Sequence, residues 1–214
     1  EKMRKRILRH LNQRSEMLSG ISHDLRTPLT RIKLQLAFIK DNKITNKLSE
    51  DIEEMEKMLN EYLKFASSTS SEKNELFDLS KTILSLLKKY NNDRIKVDIE
   101  EKINFKGRKN LLIRCFSNIL DNALKYGKKI NFFAKKLNKT IVIIIEDDGP
   151  GIAKSEYLNV FKPFYKINKG RGDSKSSVGL GLSIASDVVR SHGGKIDLNK
   201  SKLGGLNIKI SLPF

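Results

Sequence analysis

At Ser67-Ser68-Thr69-Ser70-Ser71 the apolar residues of this chain change period. Upstream they recur at threes and fours, as one stripe of a helix does; downstream, helical spacing and strict alternation follow one another. Two patterns parted by a flexible polar stretch predict two domains of different architecture. Ile21, Leu25, Leu29, Ile32, Leu36 and Ile39 mark the stripe of a first helix, predicted over residues 1 to about 41. After the polar Asp41-Asn42-Lys43, a second helix is predicted from about Thr45 to Ala66. Leu48, Ile52, Met55, Leu59, Tyr62 and Ala66 give it a heptad seam. Two such helices joined by a short loop make an antiparallel hairpin, which cannot bury both seams by itself. A homodimeric four-helix bundle would cover them; packing of the hairpin on the second domain is the alternative.

His23 stands off the first stripe, with Thr27 one turn further on the same face. Pro28 removes a backbone donor and predicts a bend just beyond.

Downstream, helices are predicted over Leu79–Tyr90, Arg108–Tyr126 and Leu180–Ser191, the last ended by His192-Gly193-Gly194. Lys96 to Phe105 alternates and reads as a strand. Ile130–Phe133 and Ile141–Ile145 read as strands, the second apolar enough to be central. Lys195–Leu198 and Leu206–Leu212 close the pattern. The expectation is a sheet of about five strands covered on one face by helices, an α/β sandwich.

The net charge of +17 raises the question of nucleic acid. Residues 72–214 carry most of it, 28 basic against 15 acidic, yet lysines outnumber arginines 31 to 11 and lie scattered with no interleaved aromatics. That pattern argues for a residue-usage bias and against a nucleic-acid partner; attraction of a polyanion such as ATP, or of an acidic protein, needs less. The single Cys115 allows no internal disulfide and falls in a core pattern. No apolar run reaches the roughly 20 residues a membrane helix needs. The start on Glu and the basic helical stretch that follows fit a fragment of a longer protein, and the expectation is the cytoplasmic portion of a membrane protein, held to the membrane only by segments absent from this chain, with a soluble parent as the alternative.

Four stretches of the second domain are hard to explain by packing. Asn118 and Asn122 stand one turn apart with Lys125 close by, and such a face can hold magnesium and its phosphates; a solvated polar face is the alternative. Asp147-Asp148-Gly149-Pro150-Gly151 follows the most apolar strand, so a carboxylate at a strand end could accept from an exocyclic amine. Phe161-Lys162-Pro163-Phe164 precedes a polar segment, Lys166 to Ser177, expected to be a lid. Gly179-Leu180-Gly181 opens a helix, where amides can meet a phosphate. Neither a Walker loop nor a Rossmann glycine pattern is present.

Together with Ser22-His23-Asp24-Leu25-Arg26-Thr27-Pro28-Leu29, these stretches occur in the order of the five boxes of sensor histidine kinases, and nearly the whole chain resembles that family. Ser22–Arg31 and Glu146–Ala153 are especially similar to its osmosensing members. The resemblance implies an α+β chain: a helical-hairpin dimerisation and phosphotransfer domain at 1–66, a linker at 67–74, and an ATP-binding α/β sandwich at 75–214.

It also implies residue roles. His23 would accept the γ-phosphoryl group, Asp24 would orient its ring, and Thr27 would help position water for dephosphorylating a response regulator. Asn122 would ligate Mg2+, with Asn118 beside it where ATP-hydrolysing relatives carry Glu. Lys125 and Lys166 would touch phosphate, and Tyr126 would pack by the nucleotide. Asp147 would read the adenine amine, Gly149 and Gly151 would make room for it, and Gly179, Leu180 and Gly181 would anchor the lid. Ser177-Val178 departs from the family's Gly-Thr. The implied partners are a receiver domain and a second copy of the chain. The alternatives are a non-catalytic ATP-binding scaffold, and an ATPase of the chaperone and topoisomerase kind, which lacks its Glu at Asn118 and leaves His23 unexplained.

Overall fold

The computed structural model describes residues 27–36, 39, 44–53, 55–56, 59, 72–90, 93–167 and 179–214. They belong to two compact units, one made from residues up to Glu72 and the other from Lys73–Lys169 and Gly179–Phe214. His23 and Asp24, the seam residues Tyr62 and Ala66, the Ser67–Ser71 stretch and residues 168–177 of the lid expected over Lys166–Ser177 lie outside the described residues.

In the smaller unit, α1 covers 27–36 and α2 covers 44–53. Leu29 and Leu36 of α1 pack with Ile52 of α2 in a buried cluster. Lys33 lies 3.7 Å from Glu53 and 3.5 Å from Glu56, exposed pairs that contribute at most about 1 kcal/mol each. Ile32, Leu34, Ile39, Ile44, Leu48 and Met55 stay exposed. The first helix ends earlier than the stripe predicts. Ile39 is no longer helical, and its N–H donates to the Leu36 carbonyl at 3.1 Å, the tightened bond of a helix end.

The larger unit contains β1 (Glu75–Asp78), α3 (Leu79–Tyr90), β2 (Ile95–Ile99), β3 (Asn104–Gly107), α4 (Lys109–Tyr126), β4 (Ile130–Leu137), β5 (Thr140–Asp147), α5 (Gly181–Ser191), β6 (Lys195–Lys200) and β7 (Leu206–Pro213). Five strands form one sheet in the order β2-β4-β5-β7-β6, with β5 in the middle as its apolar run predicts. β2 runs parallel to β4 and the other pairs are antiparallel. On β5, Ile141, Ile143 and Ile145 are almost completely buried and so face the helices; period two then places Asp147 on that same face at the strand end. From α4, Phe116, Ile119 and Leu120 fill the core, each stabilising by about 1.5–3 kcal/mol. Phe116 meets Phe132 of β4 edge to face at 6.2 Å. Cys115 is wholly buried, and burial pushes its thiol pKa up, away from nucleophile chemistry.

The alternating stretch 96–105 is two strands rather than one. β2 joins the large sheet, while β3 pairs antiparallel with β1 in a separate two-stranded sheet. Between them Lys102 takes a positive φ of 57°. Ser80 staples the turn, its hydroxyl donating to the Glu100 carbonyl at 2.7 Å and accepting the Ile103 N–H at 3.0 Å. The turn returns Ile103 and Phe105 to the core, so the alternation survives a break that periodicity does not register.

Candidate functional site

The site is organised along α4. Its core face is Leu111, Leu112, Cys115, Phe116, Ile119, Leu120 and Ala123; Asn118 and Asn122 lie off that face, half-buried and one turn apart. The Asn118 side-chain nitrogen is buried without a hydrogen-bond partner. An orphaned donor costs about 1–3 kcal/mol and calls for an acceptor. The N-terminus of α5 lies against these amides: a Cβ added at Gly181 would sit 3.5 Å from Asn122 Nδ2 and 3.7 Å from Asn118 Cβ. Leu180, the N-cap, makes no side-chain cap bond, so the N-terminus of α5 keeps amides and the positive end of the helix dipole that can meet an anion.

Eight residues along α4, about 12 Å at the helical rise, its C-terminal end meets the glycine box. A Cβ at Gly149 would be 2.9 Å from the Tyr126 carbonyl oxygen. Asp147 Oδ1 accepts from the Gly149 N–H at 2.9 Å and the Leu206 N–H at 3.2 Å. These bonds occupy one oxygen and orient the carboxylate; among the described residues no donor reaches Oδ2. Burial raises the Asp147 pKa above the ordinary aspartate value, against the lowering effect of the two amides. Gly151 has φ +71°.

Two further residues take part: Gly205, outside every motif, and Asp148, inside one but with no role expected from it. Gly205 donates its N–H to the Asp147 carbonyl at 3.1 Å, and a Cβ there would lie 2.2 Å from Asp147 Oδ1. Asp148 Oδ1 accepts from the N–H groups of Lys128 and Lys129 at 2.6 and 2.8 Å, which fixes the exit of α4 and lowers the Asp148 pKa. Gly205 is 58 residues from Asp147, and only strand pairing between β5 and β7 brings them together.

Of the remaining expected residues, Lys125 and Tyr126 are exposed, with the ammonium 5.1 Å from the ring centroid. Lys166 is half-buried just beyond Phe164, whose N–H donates to the Gly179 carbonyl at 3.0 Å. Gly179 itself has φ +78°, and a Cβ there would meet the Tyr165 carbonyl at 2.9 Å. Thr27 is helical and exposed in the smaller unit.

The donor set suits a magnesium ion. Asn118 and Asn122 offer amide oxygens one turn apart, and a hard cation of this kind takes one or two protein ligands, leaving the rest to water and phosphate. Among the described residues no group of three His, Cys, Asp or Glu gathers.

The chain is similar to known proteins in sequence and in fold. Residues 107–214 match the family model described as histidine kinase-, DNA gyrase B-, and HSP90-like ATPase, and residues 13–71 match the His Kinase A (phospho-acceptor) domain. The sensor histidine kinase GtrS of Pseudomonas aeruginosa is 34% identical over 214 residues, which cover 99% of this chain and 44% of that protein. The sensor histidine kinase CpxA of Escherichia coli is 31% identical over 226 residues, 96% of this chain and 48% of that one. The chain therefore spans under half the length of these two relatives. The solved structure of the Acinetobacter baumannii histidine kinase AdeS shares the fold, with a TM-score of 0.60 at 24% identity over 89% of this chain and 97% of that one. With a phospho-acceptor domain and an ATPase domain matched in this order, the chain belongs to the sensor histidine kinases, the ATP-binding transferases of two-component signalling.

Proposed function

We infer that this chain moves the γ-phosphoryl group of ATP onto His23 and from there onto an aspartate of a response-regulator receiver domain. A ring nitrogen of His23 attacks the γ-phosphorus, the bond to the β,γ-bridging oxygen breaks, and ADP leaves. Asp24 holds the other ring nitrogen, which sets the attacking tautomer. Asp147 accepts the adenine amine at Oδ2, and the α5 amides, Lys125 and Lys166 neutralise the phosphates. Asn122, with Asn118 beside it, would hold a magnesium ion that offsets the charge of the triphosphate. Such transfer relies on positioning and charge neutralisation rather than on covalent help from the protein. The observation that carries this reading is that one helix, α4, reaches both ends of the site, with Asn118 and Asn122 at Gly181 and Tyr126 at Gly149.

Domain limits of 1–66, 67–74 and 75–214, a homodimer through the helical unit, and receiver-phosphatase activity aided by Thr27 belong to the same reading. The exposed Ile32 of α1, Leu48 of α2 and Met55 support the dimer, since a second copy would cover them. No helix among the described residues is long and apolar enough to cross a membrane; the proposed setting is the cytoplasmic part of a membrane-anchored parent.

The test is incubation with labelled ATP and magnesium. The wild-type chain should gain a label that is acid-labile and base-stable. His23→Gln should gain none while its ATP affinity stays within a few-fold. Equal labelling of the variant would remove His23 from the assignment.

A further inference from the structure

Between the glycine box and α5 the chain makes two short 3₁₀ turns, Lys154–Glu156 and Asn159–Phe161, before reaching Tyr165. Side chains of this stretch converge on one carboxylate oxygen. The Tyr165 hydroxyl donates to Glu156 Oε2, and Asn159 Nδ2 donates to the same oxygen at 3.2 Å. Lys162 Nζ donates to Asn159 Oδ1 at 2.8 Å. The phenol and the carboxylate perturb each other: the Glu156 pKa falls chiefly because of the Tyr165 hydroxyl, and the Tyr165 pKa rises chiefly because of Glu156. A charge-assisted bond of this kind is among the stronger side-chain contacts. It joins two half-buried residues nine positions apart, outside the hydrophobic core.

What the bond holds in place is the backbone opposite Gly179. Phe164 takes the left-handed conformation, φ 63°, and donates its N–H to the Gly179 carbonyl, and a Cβ at Gly179 would meet the Tyr165 carbonyl at 2.9 Å. A non-glycine residue at positive φ persists only where its surroundings over-determine it. Here the over-determination comes from both sides, the Gly179 bond on one and the Glu156 bond on the other. Gly179 lies two residues before Gly181, which rests on Asn118 and Asn122. A continuous path thus runs from Glu156 through Tyr165 and Gly179 to the amides of α5. The adenine end of the site is held by other bonds, those of Asp147 to Gly149, Gly205 and Leu206.

We propose that Glu156 is a positioning residue for the phosphate end of the bound nucleotide, acting through the Tyr165 hydroxyl on the backbone at Gly179 and on the neighbouring Lys166. The proposal rests on the nucleotide reading of the site. Without the Glu156–Tyr165 bond the N-terminus of α5 and Lys166 lose their registration with Asn118 and Asn122, while Asp147 keeps its own. The defect is therefore selective for ligands that carry phosphates.

The experiment titrates the full chain, with magnesium, against a non-hydrolysable ATP analogue and against adenosine. Tyr165→Phe, which removes a single oxygen, and Glu156→Ala should each weaken the analogue tenfold or more and leave adenosine within twofold. The double variant should be no worse than either single one. Glu156→Gln, which keeps an acceptor oxygen, should recover most of the analogue affinity. Unchanged analogue affinity in Tyr165→Phe and Glu156→Ala overturns the proposal. So does an equal loss for both ligands, the mark of a merely structural contact. If the wild-type chain binds neither ligand, the nucleotide reading falls first and this inference with it.

Discussion

Asp147 shows how one side chain is prepared before any ligand arrives. Its place on the helix-covered face of β5 removes water, and the loss of solvation raises its pKa. Two backbone amides hold Oδ1 without cancelling that rise. A carboxyl with a raised pKa favours the fold while it is protonated, and that contribution is lost as pH rises through the raised value. Recognition of an amine donor has the opposite sign, because it needs the carboxylate. ATP affinity should therefore fall as pH drops through the raised Asp147 value, which lies above the ordinary aspartate range. Asp147→Asn should weaken ATP at neutral pH by tenfold or more, about 1.4 kcal/mol, and flatten that part of the pH profile. Calorimetry of both proteins over a pH series decides it; a variant with wild-type affinity would take Asp147 out of the site. Gly205, absent from every motif in the sequence, is needed for the same reason as the burial: nothing larger than hydrogen fits between it and Oδ1.

Among the elements, α4 is the most legible in sequence and the most consequential. Its apolar residues at threes and fours give both its existence and its buried face, and the amides are what remains on the other side. β1 was not legible, because four residues, Glu75-Leu76-Phe77-Asp78, hold too little pattern and pair only with β3. Periodicity does not separate β2 from β3, because Lys102 breaks the strand without breaking the alternation. In α1 the question is chemical. Thr27 is exposed, and the helical spacing of the sequence predicts it on the same face as His23, so both would face a docked regulator. Phosphoryl transfer to His23 needs no Thr hydroxyl, whereas hydrolysis of an acyl phosphate needs a held water. Thr27→Ala should keep most autophosphorylation and lose tenfold or more of the phosphatase rate, a barrier rise of about 1.4 kcal/mol. Decay of purified phospho-regulator, with ADP and magnesium present, measures this; wild-type decay with the variant would make Thr27 structural.

For the whole molecule the two units differ in self-sufficiency. The larger unit closes its own core, with Phe116, Phe132, Ile119 and Ile143 all within 1% of full burial. The described helices of the smaller unit bury only Leu29, Leu36 and Ile52 and leave Ile32, Leu34 and Met55 exposed. A fragment of residues 72–214 should therefore sediment as a monomer and still bind ATP, while the full chain sediments as a dimer. A dimeric fragment would contradict assembly through the helices. The sequence by itself determined the two periodicities, the helices and central strand they specify, and the order of the polar boxes, because each of these is a local pattern within a dozen residues. It could not determine that Gly205 is pressed against Asp147 or that the Asn118 amide is left without a partner. Nor could it separate two sheets in one alternating run or tie Glu156 to Tyr165. Those depend on strand order, on a positive φ at one lysine and on close approaches across the fold, and they exist only once distant segments have packed.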